Sequence, residues 1–137
     1  MNEIFVDSGA WLALADRRDK FHAVAVDSYP RLLRQPIRLV TSNLVVAESY
    51  NLISRRLGHE PGIRFLKSLR GSSRLLRVYA DDSVTVEAET VLAQYKDQDF
   101  SLVDAVSFAL MRQRSIEQVF AFDYHFQVMG YSLLPTR

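Results

Sequence analysis

KDQDFSLVDAVSFALM, residues 96–111, governs how the rest of the chain is read. Three acids, Asp97, Asp99 and Asp104, crowd into it, and Asp104 opens directly onto an apolar run. Val103, Val106, Phe108, Ala109, Leu110 and Met111 make that run too apolar for a helix with a solvated face. At helical spacing, Phe100 lies one turn before Asp104 and Phe108 one turn after it. An ionised carboxylate on such a face is costly unless something pairs with it. The partner of Asp104 is therefore the first thing to look for in the surrounding chain.

Working outward, helices alternate with short apolar strands. Ile4–Val6 reads as a buried strand ending at Asp7 and Ser8, followed by a short helix over 9–15, a charged break over 16–20 and a helix over 21–33. A strand over 38–41 leads to a long helix over 44–57, capped by Ser42 or Asn43 and stopped by Gly58. Pro61 fits early in the next helix, which continues over 62–69. A strand over 75–79 precedes a helix from Asp81–Ser83 to about Tyr95. After the 96–100 loop, the apolar helix runs to about Arg114. A strand over 119–122 ends at Asp123, a short helix reaches Met129, and a last strand covers 131–134. Strands that are apolar throughout, alternating with helices, predict an α/β fold of three α/β/α layers around a mainly parallel sheet.

The length, 137 residues, fits one domain spanning 1–137, and the composition, 48% hydrophobic and 24% charged, provides for one core. There is no cysteine, which excludes disulfides, thiolate nucleophiles and cysteine-based metal sites. MNEIFVDSG lacks the apolar segment of a signal peptide, and no run approaches the ~18 apolar residues of a membrane span. A cytoplasmic protein without membrane association is expected. The net charge of +1 conceals an asymmetry: residues 1–78 hold 13 Lys+Arg against 7 Asp+Glu, and residues 79–137 hold 4 against 9.

Four acids stand out by position. Asp7 and Asp123 each end a strand and precede a helix, where a carboxylate can serve as an N-cap or face a site at the carboxyl edge of the sheet. Glu48 shares a helical face with Leu44, Val45 and Leu52, either at an edge with its head in water or turned inward. Asp104 is the last residue of Ser101-Leu102-Val103-Asp104, a capping-box pattern that explains one acid but not the crowding of Asp97 and Asp99 before it. Carboxylates brought together in such a fold cannot all stay ionised alone. Their natural counter-charge is a hard divalent cation, Mg²⁺ or Mn²⁺, able to activate water and stabilise charge on a phosphodiester. His22, His59 and His125 are scattered and are expected to have surface or packing roles, an expectation that fits His125, two residues after Asp123, least.

In these residues the chain resembles the PIN-domain family of metal-dependent ribonucleases along essentially its whole length. FVDSG supplies Asp7, VAES supplies Glu48, DFSLVDA supplies Asp99, Ser101 and Asp104, and FAFDYHF supplies Asp123. The resemblance implies a Rossmann-like sheet, an acidic Mg²⁺ or Mn²⁺ pocket formed by Asp7, Glu48, Asp104 and Asp123, and endonucleolytic cleavage of RNA. Asp99 and Ser101 would support the site, as would Ser8, which stands where many members have Thr. The chain is most similar to VapC-type toxins, ending included (FQVMGYSLLPTR), which implies a homodimer held in check by a small antitoxin. A solitary RNA-processing nuclease and a non-catalytic module with a degenerate pocket are the alternatives. A receiver module would need an acid pair after the first strand and a late strand-end lysine. An Asp-x-Asp phosphatase would need an acid at position 9, where Gly9 stands, and Ser8-Gly9-Ala10-Trp11 is no dinucleotide fingerprint.

Arg64, Lys67 and Arg70 recur every three residues on one helix, with Arg55 and Arg56 before them and Arg74 after. They form either a solvated face or a surface for the RNA backbone. Leu32, Leu33, Val46 and Ile53 exceed what one core accounts for, which predicts a two-fold homodimer.

Overall fold

A computed structural model describes residues 2–136; Met1 and Arg137, the two ends of the expected domain, lie outside the described residues. In chain order the elements are β1 (Asn2–Val6), α1 (Ser8–Ala15), α2 (His22–Leu33), β2 (Ile37–Ser42), α3 (Asn43–Leu57), α4 (His59–Arg70), β3 (Leu75–Val78), α5 (Asp82–Gln94), α6 (Leu102–Gln113), β4 (Gln118–Phe120), α7 (His125–Val128) and β5 (Ser132–Leu134). The five strands form one sheet in the order β3-β2-β1-β4-β5, and every neighbouring pair is parallel. The mainly parallel sheet expected from the sequence is wholly parallel among the described residues.

The central strand explains the sheet. Ile4, Phe5 and Val6 are buried because helices cover both faces, so the strand carries no polar alternation. The chain leaves β1 towards β2 on one side and returns through β4 on the other, which makes the carboxyl edge between β1 and β4 the topological switch point. Asp7 follows β1 there, and its backbone N–H donates to the Phe120 carbonyl at 3.1 Å.

Helix starts follow their caps. Ser42 accepts from the Val45 N–H at 3.0 Å and starts α3, which settles the choice between Ser42 and Asn43. Asn43 instead accepts from the Ala80 N–H, holding the start of α3 to the end of β3. Gly58, at φ +108°, makes the break between α3 and α4 in a conformation that a side chain would strain. α4 begins at His59, earlier than the sequence suggests, and takes Pro61 within its first turn.

Three expectations need correction. β4 ends at Phe120 rather than at 122, because its partner β1 stops at Val6, opposite Phe120; Asp123 therefore sits in a loop and not at a strand end. Leu32, Val46 and Ile53 are buried in the core of the single chain and Leu33 packs against it, so they supply no apolar surplus for a dimer. Arg74 is not an open basic group. Its guanidinium donates to the carbonyls of Leu33, Gln35 and Ile37 at 2.7–3.1 Å, clamping the α2–β2 turn to the entry of β3.

That clamp generates a stability prediction. Arg74→Lys keeps the charge but cannot span three carbonyls, and water reaches the half-buried site. A loss of about 2 kcal/mol is expected, read as a fall in Tm of roughly 5–10 °C with the fold retained.

Candidate active site

The end of β1, the loop after β4, the second turn of α3 and the first turn of α6 bring carboxylates towards one place. Asp7 is 4% exposed, and its Oδ1 is buried without a hydrogen-bond partner among the described residues. Ser8, the first residue of α1, donates its hydroxyl to Glu48 Oε1 from α3. Asp104 is buried and does two things at once. It completes a capping box with Ser101, its N–H donating to Ser101 Oγ and its Oδ2 accepting from the Ser101 N–H, both at 3.0 Å. The same Oδ2 lies 3.0 Å from His125 Nδ1. Capping and clustering, alternatives in the sequence, are one arrangement in the structure.

His125 is not the packing residue expected from the sequence. Its Nε2 lies 2.7 Å from Asp99 Oδ1, and its Nδ1 lies 3.0 Å from both Asp104 Oδ2 and Asp123 Oδ2. Asp123 fixes this pose by accepting the His125 N–H on Oδ1 at 3.0 Å, which turns the chain back so that the ring points at the acids. Both ring nitrogens therefore face acceptors, an arrangement that suits the doubly protonated imidazolium. Its spacing two residues after Asp123 was the signal in the sequence, legible only once that turn is known. Phe100 packs edge-on against the ring at 5.2 Å. His22 bonds the Ala13 carbonyl, and exposed His59 opens α4. Asp97 is exposed, and no contact places it in the cluster.

The electrostatics follow the geometry. Burial, then the charges of Asp104, Glu48 and Asp123, push the Asp7 carboxyl up to about 7, with the Ser8 N–H opposing. Burial raises Asp104 as well, against its bond from Ser101 and the pull of His125. The His125 bond holds exposed Asp99 below the usual carboxylate range. Burial alone would lower His125, but Asp99, Asp123 and Asp104 together raise it.

These residues suit a divalent cation. Asp104, Asp123 and His125 offer ligand atoms within 4.8 Å of one another. Asp7 contributes a buried oxygen without a partner among the described residues, near a donor set made almost entirely of carboxylates. Hard oxygen donors of this kind favour Mg²⁺ or Mn²⁺ over softer metals.

A PIN-domain family model matches residues 4–130. The chain belongs to the PIN-domain family. It is 33% identical over 132 residues to the 23S rRNA-specific endonuclease VapC20 of Mycobacterium tuberculosis, covering 93% of this chain and 95% of that protein. The crystal structure of VapC20, described as a sarcin–ricin loop cleaving toxin, superposes with a TM-score of 0.85 at 30% identity, over 93% of this chain and 95% of the other. VapBC2 from Rickettsia felis, bound to a DNA fragment from its promoter, gives 0.68 at 15% identity over 96% of each chain. FitAcB from Neisseria gonorrhoeae gives 0.65 at 17% over 95% of each. The last two share the PIN fold; VapC20 is related in sequence as well.

The basic residues of this PIN domain divide unequally. Arg64, Lys67 and Arg70 are all exposed on α4, but only Arg64 lines a cavity with other arginines. Arg56 reaches Asp16 and Asp19 at 3.6 and 3.9 Å. No helix among the described residues is long and apolar enough to cross a membrane.

The raised Asp7 carboxyl has a consequence for stability. Folding favours its protonated form, so the contribution is intact below the ordinary value of 3.8 and is lost as pH rises through about 7. Asp7→Asn removes the charge and with it this dependence. In EDTA the variant should gain stability over the parent at about pH 8, and about 2 kcal/mol less at about pH 5.5. Melting curves at the two pH values check this; an equal gain at both would show that Asp7 is not the strained group.

Proposed function

We propose that this PIN domain is a Mg²⁺- or Mn²⁺-dependent endoribonuclease and the toxin of a toxin–antitoxin pair. Family membership and the relationship to VapC20 support a toxin ribonuclease. The observation that carries the metal requirement is the unpartnered Asp7 oxygen inside a ring of like charges. Asp7, Glu48, Asp104 and Asp123 would hold the metal. Bound there, a divalent ion supplies a water of lowered pKa and stabilises charge on the phosphodiester.

The chain's own residues do the positioning. The Ser8 hydroxyl fixes the Glu48 carboxylate. Ser101 locks Asp104 onto the first turn of α6, so its carboxylate is aimed before any ligand arrives. His125 holds Asp104 and Asp123 together and ties them to Asp99 at the rim. Asp99, 80% exposed at its side chain, supports this network. The exposed Arg64, Lys67 and Arg70 are proposed as backbone contacts for RNA. The substrate named for VapC20, 23S rRNA, is the first RNA to test.

An antitoxin is proposed as partner. Its supports are the VapBC2 and FitAcB structures of the same fold, together with an apolar cavity of about 590 Å³ between α1, α2 and α4, lined by Trp11, Leu14, Tyr29, Phe65 and Leu69. A homodimer in the cytoplasm is proposed as well, supported by exposed apolar side chains such as Val24, Val26, Val86 and Leu102. Light scattering should give a dimeric mass, and a monomeric mass at tens of micromolar would remove the homodimer.

Asp104→Asn tests the site. Asn can still cap α6, since its amide oxygen accepts the Ser101 N–H, so the variant should stay folded. Its neutral oxygen is a poorer ligand for a hard cation. RNA cleavage should fall by about two orders of magnitude or more, with the parent activity abolished by EDTA. A folded variant that cuts at the parent rate would make Asp104 a cap and nothing more.

A further inference from the structure

Four arginines from three separate chain segments converge on one cavity that the acidic site does not include. Arg17 and Arg18 come from the loop after α1, Arg56 from the end of α3 and Arg64 from α4. With Ala15, Asp16, Leu57 and Pro61 they line a space of about 460 Å³. The sequence spreads these residues over almost fifty positions, and only the folding of α3 and α4 against α1 brings them together.

Their charges are unevenly spent. Arg56 is shared with Asp16 and Asp19, and Arg64 has a distant, fully solvated contact with Glu60 at 3.9 Å. Arg17 and Arg18 are exposed and have no carboxylate within ion-pair distance among the described residues. Their backbone is nonetheless fixed. The Arg18 N–H donates to Asp16 Oδ1 and the Phe21 N–H to Asp19 Oδ1, both at 2.9 Å. The two acids thus brace the loop and Arg56 while leaving two guanidinium groups free, so the lining keeps a net charge of about +3 by its residue types.

The cavity is tied to the acidic site at both ends of the loop. α1 begins one residue after Asp7 and its eight residues rise about 12 Å, with Arg17 and Arg18 in the loop just beyond its end. At the other end Phe21 stacks on Phe122, the neighbour of Asp123, with centroids 4.5 Å apart and planes 5° from parallel. About 12 Å corresponds to some three or four phosphates of a stacked strand, and fewer of an extended one. Planar guanidinium groups bind phosphate oxygens in pairs of hydrogen bonds, which a lysine at the same place does less well.

We propose that the cavity lined by Arg17, Arg18, Arg56 and Arg64 grips backbone phosphates of the RNA strand a few nucleotides from the bond held at the carboxylates. This rests on the ribonuclease reading above and adds a second point of attachment to it. Two points fix the direction in which a strand crosses the acids, which one metal site alone does not. Arg17 and Arg18 bring the charge that has no carboxylate partner among the described residues, and Arg64 joins the cavity to the periodic face of α4.

The test is Arg17→Gln together with Arg18→Gln in the full chain. Neither side chain has a carboxylate partner among the described residues, so the melting temperature should be retained. Binding of a short single-stranded RNA oligonucleotide is measured in EDTA, where no cleavage occurs, across a range of salt. The slope of log affinity against log salt should shrink by roughly 1.4, about 0.7 for each phosphate no longer neutralised. In Mg²⁺, KM for RNA should rise more than kcat falls. Arg17→Lys with Arg18→Lys should restore most of the slope. Arg31→Gln with Arg34→Gln, at the far end of α2, should leave it unchanged. If the parent cuts RNA but the Gln pair keeps the parent slope and KM, the cavity proposal falls and the ribonuclease reading stands. An unchanged slope with lost binding of a poly-glutamate peptide would assign the cavity to an acidic protein segment and overturn the proposal. A parent that neither binds nor cuts RNA overturns both.

Discussion

Asp7 is buried at the carboxyl end of the central strand, one of its oxygens lacks a partner among the described residues, and Asp104, Glu48 and Asp123 all repel its charge. A fold tolerates such a group only if it stays protonated or if a cation arrives. Much of the remaining architecture follows from that constraint. Val6 and Phe120 are paired across β1 and β4, so the Asp7 backbone is held by the Phe120 carbonyl with its carboxylate buried. α1 starts immediately afterwards, its first N–H groups offering only partial compensation. The strain is thus built into the sheet itself rather than stored in a mobile loop.

The other acids are held by devices that proteins use for ordinary structural ends. Asp104 is the third residue of a helix with a reciprocal capping box, and Asp123 accepts a backbone N–H two residues on. Glu48 is oriented by a serine hydroxyl at the start of another helix. Each carboxylate therefore keeps part of its stability through local bonds that do not depend on a metal. The separation matters for substitutions: an amide replacement leaves the local bond and removes the charge, whereas alanine removes both and confuses the two effects.

The four acids stand out in the sequence because each is read there at an element boundary or on an apolar face, where a carboxylate needs explaining, although the structure moves Asp123 into a loop. The sheet was legible for the same reason, since Ile4–Val6 and Leu39–Val40 are apolar without alternation. What the sequence withheld were relations across the fold. Strand β4 stops where β1 stops, which no local pattern around Phe122 reveals. Arg74 looks like the end of a basic run until its guanidinium is seen satisfying three carbonyls of a distant turn. Leu32, Val46 and Ile53 look surplus only while the covering of both sheet faces is uncounted. His125 is the clearest case. A histidine two residues after an aspartate has no meaning until the turn made by that aspartate is known.

His125 also explains how the cluster holds together without metal. Its ring touches Asp99, Asp104 and Asp123, and the pull of these three outweighs the cost of burying it, so its positive form is favoured. Positive charge on this ring would offset part of the repulsion among the three carboxylates, on the α6 and α7 side of the site. Neither ring nitrogen is bonded to Asp7. The uncompensated charge is consequently concentrated on the single acid that the sheet buries most deeply, facing the carboxylates that the histidine has drawn together. Under the proposed reading, a cation entering this site would meet its strongest unmet attraction at Asp7, while Asp104 and Asp123 are already gathered by hydrogen bonds, so little of its binding energy would be lost in assembling them.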